Sequence, residues 1–171
     1  MSNREITLIK PIEGLVAEFL SMADEYRATG DDRYKSAADD FSSYVRNLVF
    51  YSKGVNLPMD HVPASTFWLV LADRIIGRSS LRHYLTSELE HEGGHIGYDI
   101  RPSERRKGYG KLILKLTLER ARDIGLDRVF LTCDTDNTAS AKIIERNGGV
   151  MQGQVSSDKS GKPISQYWIE L

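Results

Sequence analysis

The sequence predicts a mixed α/β fold, a mostly antiparallel sheet flanked by helices, in a single domain spanning residues 1–171. Three observations carry that prediction. A chain of 171 residues, 40% of them hydrophobic, suits one domain of the usual size of roughly 100–200 residues with a real core. The apolar spacing is helical over the first fifty residues and alternates from residue 66 onward. Past residue 100 the order becomes helix, strand, helix, strand, strand, which requires strands and helices in one layered structure.

In chain order, residues 5–10 read as a first strand, and Leu15, Phe19, Met22 and Tyr26 then recur at helical spacing until Gly30. Phe41, Tyr44, Val45, Leu48 and Val49 mark a second amphipathic helix, ended by Gly54 and Pro58. Thr66–Ala72 and Ile75–Arg82, separated by Asp73-Arg74, form an expected hairpin, followed by a strand over His95–Ile100. Gly108–Ile124 reads as a helix stopped by Gly125, Val129–Cys133 as a buried strand, and Thr138–Asn147 as a short helix stopped by Gly148-Gly149. Strands near 150–155 and 164–170 flank the polar turn Ser156–Lys162. No repeat, low-complexity tract or long linker divides the chain.

The formal net charge is −1, which argues against a general nucleic-acid binder, but the two parts of the chain differ in sign. Residues 1–100 carry 10 basic and 15 acidic side chains, and residues 101–171 carry 13 basic and 9 acidic, so the second part suits an anionic ligand. The longest apolar run, Phe67–Ala72, is far shorter than the roughly 20 residues of a membrane helix. Met1–Glu5 leads into no signal-peptide core, and a single cysteine permits no internal disulfide, so a cytoplasmic protein is expected.

The most informative stretch is Arg101–Lys111, between a strand and a helix. Gly108 and Gly110 let the backbone approach a ligand, the helix N-terminus adds partial positive charge, and Arg105, Arg106, Lys107 and Lys111 add full charges. A pyrophosphate satisfies such donors together. Neither G-x-x-x-x-G-K-[ST] nor a complete G-x-G-x-x-G is present, so neither a P-loop nor a Rossmann dinucleotide site is supported.

Arg105-x-x-Gly108-x-Gly110 in this placement, followed by a strand and Asn137-x-x-Ser140 opening the next helix, resembles the coenzyme A site of the GNAT superfamily of N-acetyltransferases. The element order extends the resemblance over about residues 5–170. The stretches Thr66–Val70, Leu81–His83, Gly93–Tyr98 and Tyr167–Ile169 look like a bacterial subgroup of predicted acetyltransferases of undefined substrate. The resemblance implies a GNAT fold and acetyl-CoA as co-substrate, without a metal. It also implies transfer to a primary amine of a small molecule or peptide by direct attack. Backbone groups of Tyr98, Asp99 and Ile100 would take the pantetheine arm. Those of Arg106, Lys107, Gly108, Tyr109, Gly110 and Lys111 would surround the pyrophosphate, with Arg105 shaping the loop. Asn137 would bond the pantetheine, with Ser140 nearby. The expected partners are acetyl-CoA and an amine acceptor, with no nucleic acid and no membrane; a homodimer is left open.

The chain departs from the superfamily where a tyrosine often protonates the leaving thiolate. Seven residues after Asn137 stands Ile144, which donates no proton. Where relatives keep a general base, this chain has Gly93-Gly94. If Ile96, Tyr98 and Ile100 share the substrate face, Tyr98 is the polar group there and His95 points away. Tyr98 and His83 are the two catalytic candidates, each also readable as a packing or turn residue. The rival reading is a non-catalytic acyl-CoA-binding or sensor domain. Acidic Glu88, Glu90 and Glu92 would suit a cationic amine, or are simply solvated.

His91-Glu92-Gly93-Gly94-His95 matches H-E-x-x-H, which on a helix presents two zinc ligands and a glutamate base. Two glycines inside that turn cost about 2 kcal/mol of helix propensity, and a strand pattern follows, so no metal site is expected. Cys133 reads as a core cysteine rather than an acyl carrier, because no histidine is placed beside it.

Overall fold

The hairpin that opens the main sheet turns on Ala72 and Asp73, both in the left-handed region with φ of 48° and 65°. That geometry is the type I′ arrangement whose twist matches the flanking strands. It lies one residue before the Asp73-Arg74 position expected from the sequence, and Arg74 already belongs to the strand. The structure, a computed structural model, describes residues 5–171. Residues 1–4, which belong to the single-domain reading of 1–171 and to the signal-peptide reading, lie outside the described residues.

The strands are β1 (Ile6–Ile9), β2 (Ala64–Leu71), β3 (Arg74–Arg82), β4 (Ile96–Ile100), β5 (Arg128–Asp134), β6 (Val150–Ser156) and β7 (Pro163–Glu170). The helices are α1 (Val16–Ala28), α2 (Lys35–Asp39), α3 (Phe41–Ser52), α4 (Ser87–His91), α5 (Tyr109–Asp123) and α6 (Thr138–Arg146). The short helices α2 and α4 were not legible in the apolar spacing, since each is five residues long. Short side-chain caps set three starts. Asp40 accepts from the Ser43 N–H at α3, Thr86 from the Leu89 N–H at α4, and Asn137 from the Ser140 N–H at α6.

Every pair of neighbouring strands within a sheet is antiparallel, but there are two sheets: β1-β2-β3-β4 and β5-β7-β6. They meet beside His95, whose N–H donates to the Phe130 carbonyl at 2.7 Å while its Nδ1 accepts the Phe130 N–H at 2.9 Å. Among the described residues no ladder continues from β4 to β5 beyond that point, so the outer edge of β4 is left without a strand partner. Gly94 is required at the junction: its φ is +63°, and a Cβ there would collide with the Phe130 carbonyl.

Alternation along the strands separates two apolar clusters. On one face Leu69, Leu81 and Ile96 meet Ile113, Leu114 and Leu118 of α5, together with Leu131, Tyr167 and Ile169 of the second sheet. On the other face Trp68, Val70 and Ile75 are covered by Phe19, Met22 and Tyr26 of α1 and by Phe41 and Val45 of α3. Trp68 stacks on Phe19 with ring centroids 5.5 Å apart. The buried hydroxyls of Ser79 and Thr117 satisfy each other at 2.7 Å across the β3/α5 contact.

Candidate active site

Arg101 directs the chain from β4 into the basic loop. Its side chain is 1% exposed, and its guanidinium bonds Glu25 at 2.7 Å, Glu18 at 2.9 Å and the Ser21 hydroxyl at 2.6 Å, all on α1. Burial works against the Glu25 charge, yet the hydrogen bonds from Arg101 and Ser103 outweigh it and hold its pKa below the ordinary value. Nothing in the local spacing announces this anchor, because its partners lie more than seventy residues away.

Beyond a single 3₁₀ turn at Pro102–Glu104, Arg106 takes φ +63° and Gly108 takes φ +86°. Gly108 is the N-cap of α5, and no side chain caps the first amides of the helix. A Cβ on Gly108 would meet nothing within 4 Å, so its requirement is conformational and the space in front of it is open. Gly110 differs: a Cβ there would stand 2.6 Å from Cδ1 of Ile143, so this glycine serves the close packing of α5 on α6. Arg105, Arg106, Lys107 and Lys111 are exposed around the loop. The Arg105 Nε donates to the Ile100 carbonyl at 3.1 Å, and the Lys107 ammonium pairs with Glu104 at 2.9 Å. The loop therefore presents free amides and cations at a helix N-terminus, a geometry that attracts a polyanion.

β4 divides its side chains between two environments. Tyr98 packs on the α5 face, its hydroxyl donating to the Ser140 Oγ at 3.4 Å, and burial pushes its pKa up to about 12. Asp99 points to the opposite face, accepting from Tyr26 at 2.5 Å and from Tyr34 at 2.8 Å. The Arg33 guanidinium lies 3.8 Å from Asp99. Ile100 gives its carbonyl to Tyr26 and Arg105. Asn137 spends its Oδ1 on capping α6, and Ile144 is buried in the core beside Gly149.

On the face opposite Tyr98 lies a cleft of about 1030 Å³. Its floor is Thr66, Arg78, Ser80, Arg82 and Gly97; Tyr44 and Tyr51 of α3 form one wall; Glu88, Glu92 and Asp158 stand among its lining. Gly97 exposes the β4 backbone to the cleft, and a Cβ there would meet nothing within 4 Å. Of the three glutamates read as suiting a cationic amine, Glu88 and Glu92 line the cleft and Glu90 does not. His83 is not among its lining: its Nε2 is 2.8 Å from Ser65 Oγ, and burial lowers its pKa. Sequence alone assigns Arg78, Arg82 and Tyr44 no functional role: Tyr44 reads only as an apolar helix position and Arg82 as a strand end. The available signal was the period-2 run Arg78-x-Ser80-x-Arg82 on an inner strand, which places three polar groups on one face.

His91 closes α4 and touches the Ser156 carbonyl at 3.0 Å, while His95 bonds Phe130, so H-E-x-x-H does not lie on one helix. Among the described residues no cluster of three potential metal ligands occurs, and no helix is long and apolar enough to cross a membrane. Cys133 is half-buried at the end of β5, and burial pushes its thiol up to about 11.

A split sheet, an open edge on β4 and an anion-attracting loop at the next helix define a class of acyl-CoA-dependent transferase folds. The chain belongs to the GNAT acetyltransferase family: the model of the acetyltransferase (GNAT) domain matches residues 13–150. No curated protein sequence matches the chain. Among solved structures it is similar to Mycobacterium smegmatis RimJ in complex with a CoA disulfide, with a TM-score of 0.75 and 14% identity over 96% of this chain and 81% of that one. The microcin C7 self-immunity acetyltransferase MccE, in complex with acetyl-CoA and AMP, gives a TM-score of 0.74 and 17% identity over 99% and 94%. RimL, a ribosomal L7/L12 alpha-N-protein acetyltransferase in complex with coenzyme A, gives 0.72 and 16% over 97% and 94%. At these identities the likeness establishes the fold.

Proposed function

We propose that this chain transfers the acetyl group of acetyl-CoA to a primary amine by direct attack. The observation that carries the reading is the open, left-handed Gly108 at the start of α5, with uncapped amides and exposed cations around it, beside the unpartnered edge of β4. The pyrophosphate is taken by the amides of residues 106–111 and the charges of Arg106 and Lys111. The pantetheine arm lies along residues 98–100 with Asn137 and Ser140 at its side, and brings the thioester to the gap between β4 and β5. The acceptor enters from the opposite face through the large cleft and meets the thioester at Gly97.

The amine nitrogen attacks the carbonyl carbon, the C–N bond forms, the C–S bond breaks and its electron pair goes to sulfur. Holding both reactants in one geometry supplies much of the acceleration. The nitrogen must lose a proton, and Glu92, a residue of the cleft lining, holds a buried Oε2 without a partner. The sulfur must gain one. Tyr98 stands on the cofactor side next to Ser140, with a phenol too weakly acidic to serve as a base at neutral pH, so its role is that of donor. It supplies from β4 the group that Ile144 does not supply from α6. His83, bonded to Ser65 and outside the cleft lining, is the less favoured of the two catalytic candidates.

The test is calorimetric titration with acetyl-CoA followed by thiol release with amino acids, polyamines and peptides. The proposal expects binding and turnover with at least one amine. Tight binding with no transfer to any amine would support the sensor-domain reading.

A further inference from the structure

We propose that the acceptor is a small amine that carries its own carboxylate, held by Arg78 with its amine directed toward Gly97 and Glu92. The inference rests on the acetyltransferase reading above and names the substrate class of the same cleft.

Alternation along β3 places Arg78, Ser80 and Arg82 together on the cleft floor. Arg78 is incompletely bonded there. Its Nε is closed off from solvent and has no partner, and its Nη2 reaches only Thr66 Oγ1, at 3.5 Å. The Tyr44 hydroxyl, on the same cleft, is likewise buried without a hydrogen bond of good geometry, although it lies close enough to Arg78 for the guanidinium to oppose the rise that burial causes in its pKa. Enclosed donors without an acceptor are costly, and one oxyanion satisfies both. Among the described residues neither Arg78 nor Arg82 has a carboxylate partner. Arg82 spends Nη1 on the carbonyls of Gly93 and Gly94, at 3.3 and 2.8 Å. Burial and the Arg78 charge both lower the Arg82 pKa, whereas at Arg78 burial is outweighed by the nearby Tyr44, Tyr34 and Asp99, which hold the guanidinium in its charged form. Asp99, which pairs with Arg78 in the β3/β4 register, is already engaged by the hydroxyls of Tyr26 and Tyr34.

The complementary vacancy is on Glu92. Ser157 donates to its Oε1 at 2.8 Å, while Oε2 is buried without a partner. The cleft thus holds unmet donors around Arg78 and an unmet acceptor on Glu92, the demand of a zwitterion. The scale agrees. Gly97 pairs with Ser80, two residues from Arg78, which is about 7 Å along a strand. An arginine side chain and an amino acid bridge that span. The planar guanidinium, whose only bond among the described residues is the long one from Nη2 to Thr66, matches a carboxylate in two-point contact. A polyamine, by contrast, would bring a second cation beside Arg78.

The test uses the full-length protein with acetyl-CoA, measuring thiol release and acetylated product for amino acids and short ω-amino acids. Each is run against its own carboxamide, with phosphoethanolamine and spermidine as further arms. The acid should exceed its amide by at least about tenfold in kcat/KM, because the amide leaves a buried charge unpaired. Arg78→Met should abolish that preference mainly through KM, and Arg78→Lys should keep part of it. Amides or spermidine turned over as well as the acids would overturn the proposal, as would acetyl-CoA binding with no turnover of any carboxylate-bearing amine. Preference for phosphoethanolamine would replace the carboxylate with a phosphate and overturn it equally. Failure of acetyl-CoA itself to bind would instead overturn the acetyltransferase reading. The acid–amide comparison needs no variant, so it decides even if Arg78→Met does not fold.

Discussion

His95 and Phe130 exchange two hydrogen bonds where the two sheets meet, and the second of them needs the His95 Nδ1 as acceptor. Burial pushes this imidazole down to about 4, and the Arg82 charge adds to the effect. A histidine whose folded pKa is depressed leaves the unfolded chain binding more protons between about pH 6.5 and 4. Stability should therefore be complete above pH 6.5 and fall by about 3 kcal/mol as the pH drops through that window. Urea unfolding at a series of pH values reads the slope. His95→Gln, which keeps an acceptor and does not titrate, should flatten it, and an unchanged slope would assign the effect elsewhere.

Arg101 ties the loop base to α1 through Glu18 and Glu25. Arg101→Met leaves two carboxylates facing an apolar group and should cost about 3 kcal/mol in chemical denaturation. Acetyl-CoA affinity should fall in the same variant, since the loop loses its foundation. Full retention of both quantities would show the anchor to be incidental.

The two glycines of the loop should separate into different roles. Gly108→Ala places a Cβ at φ +86° in open space, which costs about 1 kcal/mol of backbone strain, and Gly108→Glu should abolish acetyl-CoA binding by repelling the pyrophosphate. Gly110→Ala instead meets Ile143, so its main effect should be on melting temperature, and Ile143→Ala in the same chain should restore much of it. Additive losses in that double variant would contradict the packing role.

Tyr98→Phe should lower kcat by about a hundredfold with little change in acetyl-CoA affinity, as removal of a proton donor does. His83→Ala should leave kcat within a few-fold. A reversed pair of results would exchange the roles assigned to them.

Cys133→Ala should preserve turnover, because a thiol pushed up to about 11 is scarcely ionised at neutral pH and carries no acyl group efficiently. Complete loss with the fold intact would point to a covalent intermediate.

The strands and the long helices were legible because their periodicity is local: the observed bounds of α5 and α6 differ by a residue from Gly108–Ile124 and Thr138–Asn147. The basic loop was legible for the same reason, being one contiguous stretch. What escaped depends on distant chain meeting at one point. Gly93-Gly94 read as an obstacle to a helix, whereas the structure makes Gly94 the point at which one sheet passes against the other. Alternation puts Tyr98 on one face with Ile96 and Ile100, which the structure shows, but which face the large cleft occupies depends on where α3 packs. Arg78 became meaningful only once Tyr44, thirty-four residues earlier, was seen on the same cavity.

The two apolar clusters have an optical consequence. The chain has two tryptophans, and each reports on a different layer. Trp68 is fully buried against Phe19 on the side of α1 and α3, whereas Trp168 lies in the second sheet, with the Arg128 guanidinium 4.1 Å above its ring. Replacing either one with phenylalanine leaves a single indole, on the side of α1 and α3 or on the second-sheet side. A local opening of the helical layer would then be separately visible from global unfolding, without any attached label.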